Sequence, residues 1–365
     1  MTAQGATGVF TVAVPFSLPR HGPPTLIAVV DTEEEFDWSA PFNPAATSTE
    51  NIRHQPLAQA IFDRHGLVPT YVIDYPVAAS PESCSILGNF LTSGRCEIGA
   101  HLHPWVNPPA DGPVDAFHSY PGNLDPPLER AKLVALTECI ADRFGRRPCI
   151  YKAGRYGIGA ATANTLRELG YRIDASVVPH VNFSPDSGPD FTSMPARPFL
   201  TAEGILALPL SVHFAGLLAA FGPRLYPYLT GRLRSRLRLP GIAARLGLLE
   251  RLTLSPEGHR LDEMVRQTRA ALAQGERLFM LTYHSSSLLP GGAPYVRTPA
   301  ARERFLSTLD RYISFFISAC SGRPASLSAV AATLLGREDE APAAVASGTG
   351  AYPSTSFSSP PKPGT

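Results

Sequence analysis

Four stretches of the chain gather side chains able to hold a metal or move protons. In VVDTEEEFDW the acids Asp31, Glu33, Glu34, Glu35 and Asp37 follow an apolar run. Asp31 and Glu33 stand two apart, so on extended backbone they point to the same side. Carboxylates that close repel unless a cation or a shared proton lies between them. The plainer reading is an acid-rich helix start favoured by the dipole. EIGAHLHPW sets His101 and His103 two apart on one face of another strand. A lone histidine is more often structural than a ligand. A same-face pair at a strand end reverses that, because zinc and similar ions accept imidazole nitrogen and carboxylate oxygen together. His284 closes the apolar run RLFMLTYH before three serines. Its ordinary pKa of about 6.5 suits proton donation near neutral pH. In YKAGRYG, Lys152, Arg155 and Tyr156 follow a strand, and the cations there could orient a carboxylate or bind substrate. Asp74 and Asp174 end two further strands and read as supporting partners or loop caps.

The elements that must position these groups alternate. TLIAVVD is β-branched and uncharged until its last residue, the pattern of a strand buried on both faces. NIRHQPLAQAIFDRHG then carries apolar residues at helical spacing and stops at Gly66. Strand patterns recur at LVPTYVID, CEIGAHLH, PCIYKAG, YRIDASVV, ILALPLSV and RLFMLTYH. Helical ones recur at Ser83–Thr92, LERAKLVALTECIADRFG, ATANTLRELG, LDEMVRQTRAALAQG and Ala300–Ala319. Strand followed by helix, repeated this often, predicts an α/β fold with parallel strands covered by helices. No GxGxxG or GxxxxGK[ST] loop follows the first strand, which removes the commonest nucleotide-binding versions. Chemistry placed at several strand ends favours a barrel.

The formal net charge is +1, so no global field favours nucleic acid, and no nucleic-acid partner is expected. No stretch of about 20 residues is free of charge and Pro, so no spanning helix is expected. The first residues lack the basic-then-apolar succession of a secretory signal. The five cysteines form no CxxC pair, which reads as reduced thiols in a cytoplasmic protein. Residues 1–23 read as a flexible leader, 24–337 as the barrel and 338–365 as a disordered tail rich in Ala, Pro, Ser and Gly. Between Phe214 and Arg251, leucines alternate with seven arginines. The composition favours an insertion whose Arg stems cover apolar surface. The other reading is a peripheral patch touching anionic lipid or a lipid-linked substrate.

Taken in order, these motifs resemble the polysaccharide deacetylase family with the NodB homology domain, carbohydrate esterase family 4, over approximately Thr25–Val330. VVDTEEEF stands where that family has its paired aspartates, EIGAHLHPW at its histidine motif, YKAGRYG at its arginine-and-aromatic loop and MLTYHSSSL at its final Leu and His. Thr32 separates the two acids, and the histidines are two apart rather than four, the pattern of a divergent branch. The resemblance implies a distorted (β/α) barrel with fewer than eight strands. It also implies a divalent metal, usually zinc, and removal of an acyl group from an amino sugar, a hydrolysis of a non-peptide carbon–nitrogen bond. Carried over, it makes Asp31 the general base, Glu33, His101 and His103 the metal ligands, and His284 the general acid. Arg155 or Lys152 would orient Asp31, and Asp31 and Glu33 could exchange roles. The competing readings are hydrolysis of a non-sugar amide at the same site and a sugar-binding pseudoenzyme.

Overall fold

The computed structural model describes residues 9–16, 21–37, 40–230 and 239–336. The tail expected at 338–365 lies outside them. So does part of the leader, but the rest of that segment is not loose. Val12–Pro15 forms β1, and Val9 and Phe10 are buried. Its partner lies far along the chain, so no local pattern announces the pairing.

Strands β2 (Thr25–Thr32), β3 (Thr70–Ile73), β4 (Glu97–Leu102), β5 (Ile150–Ala153) and β6 (Ile173–Asp174) follow, then β7 (Phe199–Thr201) and β8 (Leu206–Ala207). After β9 (Val212–Ala215) and β10 (Glu250–Thr253) come β11 (Leu278–His284) and the short β12 (Arg323–Pro324). In space β11, β2, β3, β4, β5, β6 and β8 run parallel in that order. Antiparallel β7 and β1 extend the far end, and β12 pairs with the start of β2. This is the mostly parallel, helix-covered sheet that the alternating pattern predicts.

Leu26, Ile27, Ala28, Val29 and Val30 of β2 are all buried, because helices cover the sheet. The helix Pro299–Ala319 presents Phe305, Leu309, Tyr312 and Phe316 to one continuous core, spaced four, three and four apart. The sheet is strongly curled. Lys152 on β5 donates to Thr282 Oγ1 on β11 at 3.1 Å, although four inter-strand steps separate them. On a flat sheet those steps would span about 19 Å. No strand ladder joins β11 to β8 among the described residues. Irregular chain spans the gap instead: Thr282 N donates to Leu254 O, and Leu254 N to Ser211 O. The curl is therefore not closed by a ladder on this side among the described residues.

The Arg/Leu-rich segment grows out of the antiparallel β9–β10 pair, with Ala215 opposite Glu250. It forms helices at Gly222–Leu229 and Leu239–Arg245, around a small core of Phe214, Ala219 and Leu249.

Candidate active site and metal centre

Register brings the strand-end residues together. His284 pairs with Asp31 across β11–β2, and His101 pairs with Lys152 across β4–β5. The curl then folds these two pairs toward one another. Asp31, Glu33, His101, His103 and His284 all line one cavity of about 430 Å³.

Glu33 Oε2 lies 3.4 Å from Nε2 of His101 and 3.4 Å from Nε2 of His103. Each ring donates its other nitrogen away from this point: His101 Nδ1 to Lys152 O at 2.8 Å, His103 Nδ1 to Glu34 Oε2 at 2.9 Å. Both Nε2 lone pairs therefore face the carboxylate, a two-His, one-carboxylate donor set that could hold a divalent ion. Burial holds His103 below its usual pKa and keeps the imidazole neutral, as a ligand must be.

Glu34, Asp74 and His103 also approach one another closely enough for a metal. Their atoms are already occupied. Glu34 accepts from Trp105 Nε1 at 2.8 Å as well as from His103, and Asp74 accepts from the backbone of Glu34 at 2.7 Å and Val77 at 2.8 Å. Burial pushes Glu34 up to about 7. Burial and then the hydrogen bond to Glu34 push Asp74 well above the carboxylate range. This group orients the His103 ring from behind, as partners of metal-ligating histidines do. Asp74 also caps the helix Tyr75–Ala79 through Val77 N, so both readings of its strand-end position, supporting partner and cap, describe contacts it makes. The part played by Glu34 was hidden inside a run of three glutamates.

Lys152 is fully buried and donates to Asp31 Oδ1 at 2.6 Å, leaving Oδ2 facing His284 Nε2 at 3.6 Å. Burial alone would raise the Asp31 pKa, but Lys152, His101 and His284 together hold it below the usual range. Of the two cations offered for orienting Asp31, Lys152 touches it. Arg155 does not. Its guanidinium donates to Ser119 Oγ and sits 4.1 Å over the Tyr120 ring on the cavity wall. Arg155 (φ 53°) and Tyr156 (φ 60°) both adopt left-handed backbone, a costly conformation for non-glycine residues that recurs at functional sites. Gly154 must be glycine, since a Cβ there would stand 2.3 Å from His103 Cδ2. Tyr156 lines the cavity with Tyr120, Phe183 and Tyr295.

His284 has a partner that sequence reasoning missed. Glu257 accepts from His284 N at 2.9 Å and from Nδ1 at 2.8 Å, and from Ser287 Oγ. Burial would lower the histidine pKa, yet Glu257, Glu33 and Asp31 raise it to about 10. Glu257 sits in the loop SPEGHR, with no strand end or spacing to mark it. Asp174 lies outside the site and braces β5 through Ser176, whose hydroxyl accepts from Ala153 N at 2.8 Å.

No protein-family model and no curated protein matches the sequence. Among solved structures, the fold is similar to that of a candidate polysaccharide deacetylase from Mycobacterium smegmatis. It shares 17% identity over 90% of this chain and 96% of that one, at a TM-score of 0.52. Likenesses at lower TM-score include Puue allantoinase, at 15% identity over 84% of this chain and 88% of that one (0.48). Another is the pseudoenzyme BA3943 of the CE4 family from Bacillus anthracis, at 6% identity over 84% and 64% (0.40). At such identities the likeness is one of fold. The chain has a deacetylase-like α/β fold carrying a buried Glu/His/His cluster that could bind a metal ion. Among the described residues no helix is long and apolar enough to cross a membrane.

Proposed function

We propose that this protein is a divalent-metal-dependent hydrolase that removes an acyl group, N-acetyl above all, from an amino sugar or polysaccharide. The observation that carries this is the Glu33–His101–His103 set facing the same cavity as the Asp31–His284 pair. A divalent ion held by the three ligands, zinc being the natural choice for N,N,O donors, would polarise the acyl carbonyl and acidify a water.

The remaining work falls to side chains. Lys152 fixes Asp31 through Oδ1, so Oδ2 is the atom left to take the water's proton. Glu257 holds His284 by Nδ1, so Nε2 carries the proton that the departing amine needs. Glu33 contributes to the raised His284 pKa, and that share is lost once its carboxylate is engaged by a cation. Lys152, being buried, positions rather than binds; Arg155 and Tyr156 are left to contact substrate. The aromatic side chains Tyr120, Tyr156, Phe183 and Tyr295 in the cavity lining, Tyr295 exposed among them, favour a carbohydrate over a simple amide.

Metal analysis of the purified chain, followed by acetate release from N-acetylated amino sugars and from simple amides, tests this reading. Release from sugars alone is expected. Release from amides alone would move the substrate class. Metal without any release would leave a sugar-binding protein.

A further inference from the structure

The insertion between β9 and β10 carries a surface that the hydrolase reading does not use. Among the described residues, exposed large apolar side chains are few elsewhere, and they stand singly or as a short edge strand. Within this insertion Leu217, Leu218, Phe221, Leu225, Ile242 and Leu246 are all exposed, Leu217 by 82% and Leu246 by 65%. Backbone hydrogen bonds from Leu217 N to Gly247 O (3.0 Å) and from Leu218 N to Leu248 O (2.8 Å) join the two limbs, so Leu217 and Leu246 belong to one patch. The segment is folded around its own small core, and these side chains are left outside it.

Charge is as uneven as hydropathy. From Gly204 to Leu249 the sequence holds six arginines and neither Asp nor Glu, in a chain whose net charge is only +1. Arg224 and Arg245 are exposed beside the apolar residues, and neither forms an ion pair among the described residues. Clustered aliphatic side chains bordered by unneutralised cations fit an anionic, hydrocarbon-backed surface. A second copy of the chain would oppose like charge with like. A nucleic acid would use the arginines but leave the leucines without a partner.

We infer that residues 217–230 and 239–246 dock on an anionic lipid bilayer as a peripheral contact. The site lies close by: Arg251 donates to His180 O at 2.6 Å and the His180 ring packs, tilted, with its centroid 5.0 Å from that of Phe214. The loop after His180 carries Phe183 and Asp186 into the cavity wall. Docking would set the cavity beside the membrane surface.

The test is flotation of the full chain with vesicles of phosphatidylcholine alone and with vesicles rich in phosphatidylglycerol. Binding to the second only is expected, weakening as salt rises from about 0.1 to 1 M. Arg224→Ala and Arg245→Ala should each weaken partitioning about fivefold. Leu217→Ser, Phe221→Ser and Leu246→Ser together should weaken it at least about tenfold. Because the two sets are independent and lie on the surface, one remains decisive if the other misfolds, as judged by thermal unfolding. No flotation with anionic vesicles overturns the inference. So does flotation that neither set reduces. Tight RNA binding that depends on the arginines and ignores the apolar changes would make this a nucleic-acid contact instead.

Discussion

Glu257 holds His284 at two points, the backbone N–H at 2.9 Å and Nδ1 at 2.8 Å, which fixes the ring so that Nε2 faces Asp31. The same carboxylate is a main reason that the His284 pKa rises to about 10. Glu257→Gln should keep much of the geometry and remove the charge. The imidazolium is then less favoured, so the His284 pKa falls, by about one unit or more. The basic limb of the pH–rate profile should move to lower pH, and an NMR titration of His284 should move with it. An unmoved titration would show that Glu257 only positions the ring.

Metal content separates the ligands from their support. The chain should bind one divalent ion through Glu33, His101 and His103. His101→Ala and His103→Ala should each abolish binding. Glu34→Gln leaves one acceptor oxygen for two donors, His103 and Trp105, and should weaken affinity about 10–100-fold. Elemental analysis and competition with a chelator read both. Full occupancy in the His101→Ala/His103→Ala double variant would sink the assignment.

Lys152 and Asp31 form a buried pair whose halves are not equal to lose. Lys152→Met leaves the Asp31 carboxylate without its partner, and should cost about 3–5 kcal/mol of stability. With that cation gone, the Asp31 pKa rises and the acidic limb of activity shifts to higher pH. Asp31→Asn added to Lys152→Met should recover part of the stability. Denaturant unfolding of the three variants tests this double-mutant cycle.

The proton carriers themselves should be separable from folding. Asp31→Asn and His284→Ala are expected to lower turnover by about 10²–10⁴-fold while retaining metal. Loss of metal from Asp31→Asn, with retention in Glu33→Gln, would exchange the roles of the two carboxylates.

A buried histidine outside the site should govern acid stability. Burial, with His180 and Arg197 nearby, lowers the His213 pKa to about 4. The unfolded chain protonates His213 near its ordinary value of about 6.5, so the fold is penalised as pH drops from there toward 4. The contribution is fully present above about 6.5, and up to about 3 kcal/mol is lost across that window. His213→Gln should flatten the slope of unfolding free energy against pH between those limits.

The alternation of strands and helices is legible in the sequence, since one-face and two-face burial impose periods that hydropathy records. The sequence also placed Asp31, Glu33, His101, His103 and His284 at strand ends, where chemistry in a parallel sheet collects. It could not choose between Lys152 and Arg155, which stand three residues apart, one near the end of β5 and the other in the turn after it; the curl of the sheet and left-handed backbone at Arg155 sent one beneath Asp31 and the other to the cavity wall. Nor could it assign β1 to the sheet or Glu257 to His284, because neither contact has a local pattern: β1 meets a strand far along the chain, and Glu257 reaches His284 from a loop. Period and composition are properties of neighbouring residues. Pairings across the barrel arise only when the whole chain closes, and they decided which carboxylate faces which nitrogen.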